Sequence, residues 1–329
     1  MPLLKLPPEI LIQIFDHVGS RYFRSDLSRL TVCKRWNQFA HIVCSRQLYI
    51  TPRILRQMVL SPYVESSLHL METLDLELEG FVMRRPETVL DSNSYSWNSA
   101  PGLWSLRRRV RELNDDLAHL ASIMRQSQRL CTLRIKAIFG SDYFQVGSKY
   151  LFSSTIRSLL LSTSNLSVLE LDLCSTHPEP QDHPHHGDDS HVCPMIATLL
   201  PTLRCLRLRM PVICSDALKP PQHCSDPLRL RVLLVSFVLP STDPVYNEPV
   251  LTIRCGGPGR FVRLRQVVRG DMVRQSRVLA ARMSAPKMVR ILTHVLASGE
   301  LGGVDVLTGK EIKLREGAEW DDDGEAVED

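Results

Sequence analysis

Five times along the chain an apolar residue, two spacer positions and an alternating apolar run recur. The copies are Met71-x-x-Leu74-x-Leu76-x-Leu78, Leu130-x-x-Leu133-x-Ile135 and Leu166-x-x-Leu169-x-Leu171-x-Leu173, then Leu203-x-x-Leu206-x-Leu208-x-Met210 and Leu230-x-x-Leu233-x-Val235-x-Phe237. Alternation places every second side chain on one face of a sheet. Each copy therefore predicts a strand with one buried face, entered through a turn that the leading residue anchors. Helical patterns precede several copies. Between 105 and 127, Leu106, Val110, Leu113, Leu117, Leu120 and Met124 step by four and three, and a shorter helix runs from Pro194 to Leu200.

Helix followed by strand, repeated, is the unit of a leucine-rich solenoid. The period is irregular, however. Leu74, Leu133, Leu169, Leu206 and Leu233 lie at unequal intervals, whereas regular arrays repeat about every 20–29 residues. Two architectures stay open at this point: a degenerate array padded with loops, or an ordinary α/β domain whose leucines fill a core. Residues 84–103 and 175–193 are the expected loops. The second holds His177, His183, His185, His186 and His191 beside Cys193. Imidazoles can bind zinc or nickel, but Pro178, Pro180 and Pro184 scatter them, so a solvated loop is expected and no metal ligand is assigned.

Beyond residue 245 the rhythm fades. Val250–Arg254 and Phe261–Val268, on either side of Gly256-Gly257-Pro258-Gly259, suggest a hairpin. Two helices are expected after it, the second from about Ser284 with Met288, Ile291, Leu292, Val295 and Leu296 on one face and Gly299 at its end. A final hairpin turns at Thr308-Gly309. Arg260, Arg263, Arg265, Arg269, Arg274, Arg277, Arg282, Lys287 and Arg290 face only Asp271 as an acid between 260 and 290. Few aromatics interleave them, which disfavours nucleic acid relative to an acidic partner or the chain's own acidic end. That end, 316–329, carries eight acids and no base, against a formal charge of +4 overall.

The nine cysteines are odd in number and form no Cys-x-x-Cys pair, so reduced thiols rather than disulfides or structural zinc are expected. Neither a secretory leader nor a bilayer-length apolar run is recognisable, which points to a cytoplasmic or nuclear protein. A Walker loop, a Gly-x-Ser-x-Gly elbow and a His-Glu-x-x-His helix are all absent from the sequence, so no catalytic residue and no cofactor are assigned.

The first fifty residues follow a different rule. Pro7 and Pro8 precede Glu9, a helix start, and Ile10, Leu11, Ile14, Phe15 and Val18 share a helical face until Gly19. Ser25 is expected to cap a second helix carrying Leu27 and Leu30. Val32, Cys33, Trp36, Phe39, Ala40 and Val43 give a third. About 45 residues cannot bury three such faces against one another, so some of this surface must meet the body or another protein.

The run Leu6-Pro7-Pro8-Glu9-Ile10-Leu11, Ile14-Phe15, Asp26-Leu27-x-x-Leu30, Val32-Cys33-Lys34-x-Trp36 and a closing Leu48-Tyr49 resembles an F-box. The resemblance implies a three-helix module that docks on the Skp-type adaptor of a Skp–cullin–F-box ubiquitin ligase through Leu6, Pro7, Ile10, Leu11, Ile14, Leu27, Leu30 and Val32. Trp36 and Cys33 would serve as core. The remainder then resembles the irregular leucine-rich regions found behind fungal F-boxes.

The expected fold is mixed, α+β or α/β in class. An F-box at 1–50, a connecting helix or linker at 51–67, a leucine-rich-repeat-like region at 68–245, an α+β hairpin/helix cap at 246–315 and a disordered acidic tail at 316–329 make up the chain. The expected function is that of a non-catalytic substrate receptor, holding a protein target on its body. The alternative is a scaffold outside any ligase, with the N-terminal helices packed on the body.

Overall fold

The computed structural model describes residues 5–61, 69–79, 101–138, 150–173, 191–222, 224, 226–237, 255, 264–294, 301–314 and 325–326. It opens with α1 (Pro8–Val18), α2 (Ser20–Ser25), a 3₁₀ turn (Leu27–Leu30) and α3 (Lys34–Arg46). Pro8 occupies the first helical turn, and Gly19 leaves α1 at φ 82°, a left-handed conformation that a side chain would oppose. Ser25 ends α2 instead of capping a helix. The cap belongs to Asp26, whose carboxylate accepts from the Ser28 amide at 3.0 Å. Phe15, Phe23, Ala40 and Val43 close a small core, with Trp36 edge-on to Phe15 at 4.4 Å between centroids. The Trp36 indole N–H donates to the Arg29 carbonyl at 2.6 Å. Cys33 is only half-buried: its sulfur caps α3 by accepting from the Trp36 amide, so it is a cap more than a core residue.

From α3 the chain runs directly into β1 (Gln47–Ile50), then α4 (Pro52–Val59), β2 (Thr73–Glu79), α5 (Pro101–Met124), β3 (Thr132–Ile138) and α6 (Ser153–Leu161). Next come β4 (Val168–Asp172), α7 (Cys193–Leu199), β5 (Cys205–Arg209), a 3₁₀ turn at Ser215–Leu218, β6 (Val232–Ser236) and α8 (Leu264–Ala281). The last elements are β7 (Met288–His294), β8 (Leu301–Asp305), β9 (Glu311–Lys313) and β10 (Glu325–Ala326). Among the described residues, all ten strands form one sheet in sequence order. β1 to β7 are parallel and the remainder antiparallel. The fold is thus a mixed helix-and-strand one, with helices at its N-terminus. Among the described residues no helix is long and apolar enough to cross a membrane.

Spacing in sequence is irregular, but register in space is not. Leu74, Leu133, Leu169, Leu206, Leu233 and Val289 pair in one row, and Leu76, Ile135, Leu171, Leu208, Val235 and Ile291 in the next. All twelve are buried in the principal core. One hydrogen-bond motif starts β3 to β7: the Glu72 carbonyl accepts from the Cys131 and Thr132 amides, Cys131 from Ser167 and Val168, and Ser167 from Arg204 and Cys205. Arg204 does so for Arg231 and Val232, and Arg231 for Lys287 and Met288. The leading Met71, Leu130, Leu166, Leu203 and Leu230 are buried beneath these turns. Length differences between copies are absorbed elsewhere, because a slip of one residue would turn every buried leucine to the opposite face.

Several expectations require correction. Met288–His294 is a strand, not a helix. Val289 and Ile291 alternate inward, and the pairing partner β6 decides between two patterns that a short apolar run fits equally. Val295, Leu296 and Gly299 lie outside the described residues. Of the hairpin expected around Gly256–Gly259, the second arm is helical from Leu264 and the first arm lies outside the described residues. The loop expected at 84–103 yields at its end to α5, which begins at Pro101. Gln47–Ile50, expected inside the helical module, is the first strand of the sheet. The expected cap at 246–315 is no separate unit, since β7 continues the parallel sheet. Glu325 and Ala326, expected in a disordered tail, pair with β9.

The opposite face of the sheet is charged. In one row Asp75, Arg134, Glu170 and Arg207 alternate in sign, with Arg134 3.1 Å from Asp75 and 3.6 Å from Glu170. In the next, Arg209 grips Asp172 through two nitrogens at 2.8 and 2.5 Å. At β6 and β7 this face turns apolar, and Leu234 and Leu292 form a second, smaller core with Ile312 and Leu314. Gly303 of β8 lies so close to β7 that a Cβ would stand 2.4 Å from the Ile291 carbonyl oxygen.

Candidate protein-docking surface

The apolar side chains of the helical module divide into two sets. Leu11 and Phe15, one turn apart on α1, are fully buried, Phe15 in the aromatic core. Ile10, Gln13, Ile14, His17 and Val18 lie at helical spacings of three and four along an adjacent stripe and line one shallow, open groove. Ile10 is 40% and Val18 44% exposed, unusual for β-branched aliphatics. Val32, in the turn before α3, is 56% exposed.

Of the residues expected at the docking surface, Pro7, Ile10 and Val32 are exposed. Leu6, Ile14 and Leu30 are half-buried, the last two packed on the module's core. Leu11 is turned inward and offers no surface, because its position one turn before Phe15 puts it on the face that α3 covers. Leu27 lies in the 3₁₀ turn, and its side chain is outside the described set. The Arg35 guanidinium donates to the Leu6 carbonyl at 3.0 Å, which brings the Leu6-Pro7 segment to the start of α3 beside Val32. Gln13, His17 and Val18 were not expected here. The signal that could have found Val18 is its place one turn beyond Ile14.

The module joins the body through polar contacts. Arg46 lies 3.0 Å from Asp16 and 3.6 Å from Glu72, the Ser20 hydroxyl donates to Gln47 at 3.0 Å, and the Glu72 amide donates to the Arg46 carbonyl. Its apolar core contains no residue of the body. The Asp26 carboxyl sits below its ordinary range because the Ser28 hydroxyl and amide both bond its ionised form.

Three bases of the 260–290 segment have partners nearby. Arg274 pairs with Asp271, Arg290 approaches Asp305 at 3.6 Å, and Arg282 donates to the Cys224 carbonyl.

No metal ligand was assigned from the sequence, yet the fold gathers four candidate ligand atoms from His191, Cys193, Cys214 and Cys255. Hydrogen bonds from the Cys193 and Cys255 thiols hold the Cys214 thiol well below its usual range, while that donation to Cys214 pushes Cys193 up. His177, His183, His185 and His186 lie outside the described residues.

Residues 3–51 match the family model described as F-box-like, which spans α1 to β1. No curated protein matches the chain.

Proposed function

We propose, from the F-box-like domain matched at residues 3–51, that this F-box protein is the substrate-recognition subunit of a Skp–cullin–F-box ubiquitin ligase. F-box domains bind Skp-type adaptors. The observation that carries the reading is the exposure of Ile10, Val18 and Val32 on a module whose own core is already closed. Burying three such side chains in a partner is worth roughly 1.5–3 kcal/mol each when transfer is complete, the scale of interface hot spots.

The body then holds the target. Its sequence-ordered parallel sheet supports reading it as an irregular leucine-rich-repeat solenoid, with the alternating charges of Asp75, Arg134, Glu170 and Arg207 on the face offered to a protein substrate. The chain itself performs no covalent chemistry. Tethering raises the target's effective concentration near the transferred ubiquitin, and other subunits supply the reaction. This assignment places the protein in the cytoplasm or nucleus. The scaffold alternative, with the helices docked on the body, is less favoured because polar and backbone contacts, not a shared apolar core, make that junction.

The test is co-purification of the full chain with a Skp-type adaptor, comparing wild type with the Ile10→Asp, Val32→Asp double variant. Adaptor recovery should fall at least about 30-fold, the equivalent of one hot spot of roughly 2 kcal/mol, with circular dichroism and melting unchanged. Equal recovery from both would remove the docking assignment.

A further inference from the structure

Three cysteines and a histidine, drawn from separate stretches of the body, converge on one point. His191 and Cys193 stand at the start of α7, Cys214 immediately precedes the 3₁₀ turn at Ser215–Leu218, and Cys255 lies in the long connection between β6 and α8. Their ligand atoms all fall within 4.8 Å of one another. Cys193 Sγ is 3.6 Å from Cys255 Sγ, and Cys214 Sγ is 3.8 Å from His191 Nδ1. A zinc ion with Zn–S near 2.3 Å and Zn–N near 2.0–2.1 Å requires tetrahedral edges of about 3.5–3.8 Å between such atoms. These two edges sit at that length, and the remaining ones are no longer than 4.8 Å. A disulfide would need sulfurs about 2.05 Å apart, and all four-way convergence would be superfluous to it.

Buried thiols also serve as small core hydrophobes, and Cys193 and Cys214 do border the principal core. Ordinary packing, however, does not aim an imidazole nitrogen and three sulfurs at a common centre. The surroundings are also those of an oriented ligand set. The Cys214 amide donates to Cys193 Sγ at 3.4 Å, a bond that orients the sulfur. Asp216, 3.5 Å from Cys214 Sγ, has its carboxylate held by Lys219 at 2.5 Å, which offsets negative charge beside the thiols.

The geometry points to a structural zinc site formed by His191, Cys193, Cys214 and Cys255. Soft thiolates with one imidazole in a tetrahedron select zinc over harder cations. Four protein ligands fill the coordination sphere and leave no open position for substrate or water, so the ion would clasp structure and not catalyse. Cys193 and Cys214 are buried and the other two half-buried. The clasp would join α7 to the following 3₁₀ turn and pin the β6–α8 connection to both, making folding of this edge dependent on zinc.

The test uses the full chain, purified under reducing conditions without chelator and without a polyhistidine tag. Elemental analysis should find one zinc per chain. Exchange into Co²⁺ should give the strong visible bands of a tetrahedral ion together with sulfur-to-cobalt charge transfer, a spectrum that does not depend on any variant folding. Cys214→Ser and Cys255→Ser should each lose the zinc equivalent and the charge-transfer band, whereas Cys131→Ser should keep both. Absence of zinc together with no charge-transfer band after Co²⁺ addition to reduced protein would overturn the assignment. So would full zinc retention by the Cys193→Ser, Cys214→Ser double variant, which would place the ion elsewhere.

Discussion

In residues 8–46 a core of Phe15, Phe23, Ala40 and Val43 closes on itself while Ile10, Val18 and Val32 stay in water. On the strands of the body the arrangement is reversed. None of the described large apolar side chains of β2 to β7 is exposed, and what those strands show to solvent is a ladder of alternating charge. Both regions are leucine- and isoleucine-rich, so composition does not separate them. Helix geometry does: three short helices present more apolar stripe than they can mutually cover. A parallel sheet, by contrast, hides every second residue under its own crossover helices. Uncovered apolar surface therefore marks where a partner belongs in the module. On the strand face of the body, unlike its helices and their ends where Leu60, Leu161 and Val278 are exposed, a partner must be read by charge and shape.

The sharpest way to break this comparison is to damage each core separately. Phe15→Ala removes a fully buried ring in contact with Phe23 and Trp36, and should cost about 3–5 kcal/mol. Denaturant melts should show the module unfolding early while the body's transition stays in place. Leu171→Ala, in the second leucine row, should cost about 2–5 kcal/mol and move only the later transition. Movement of both transitions together in either variant would show that the two cores fold as one, contrary to the separation seen here.

Smaller effects sharpen the contrast on the charged face. Arg134 is half exposed and bridges Asp75 and Glu170, so Arg134→Ala should change stability by no more than about 1 kcal/mol. Its larger consequence should be weaker capture of a protein target at low salt. A loss of several kcal/mol in chemical denaturation would mean that the ladder is structural and not a recognition surface.

The least effect is expected from Asp26. Its carboxyl is depressed in the folded module by the Ser28 hydroxyl and amide, so its contribution is present above the unfolded carboxylate pKa of about 3.9 and is lost as pH falls through the lower folded value. Asp26→Asn should flatten that acid limb of the module's melting curve by slightly lowering its stability at neutrality while leaving the most acidic end unchanged. An unchanged acid limb would assign the pH dependence to another carboxylate.

Legibility followed the range of the interactions that decide each feature. Strands β2 to β6 were readable because a period of two is written in consecutive residues, and α1 because Pro8 and Gly19 punctuate it locally. Met288–Leu292 defeated the same reasoning. A helical spacing and a strand alternation coincide over so short a run, and only pairing with Val232–Ser236 chooses between them. On α1, Leu11 and Ile10 are neighbours in sequence, and the packing of α1 against α3 covers the first and leaves the second exposed. The Cys/His cluster left almost no trace, since Cys193, Cys214 and Cys255 are far apart along the chain and show none of the close pairs that betray a zinc site.

The amino-acid order by itself determined the helical start, the leucine strands and their buried face, because each follows from backbone geometry over a few neighbouring residues. Only the tertiary structure decided three further things. It gave the parallel part of the sheet its first and last strands at Gln47–Ile50 and Met288–His294. It left Ile10, Val18 and Val32 uncovered, and it carried His191, Cys193, Cys214 and Cys255 to one point. Each of these depends on which distant segments pack together, and that is settled by burial and register across the whole core, not by any local rule.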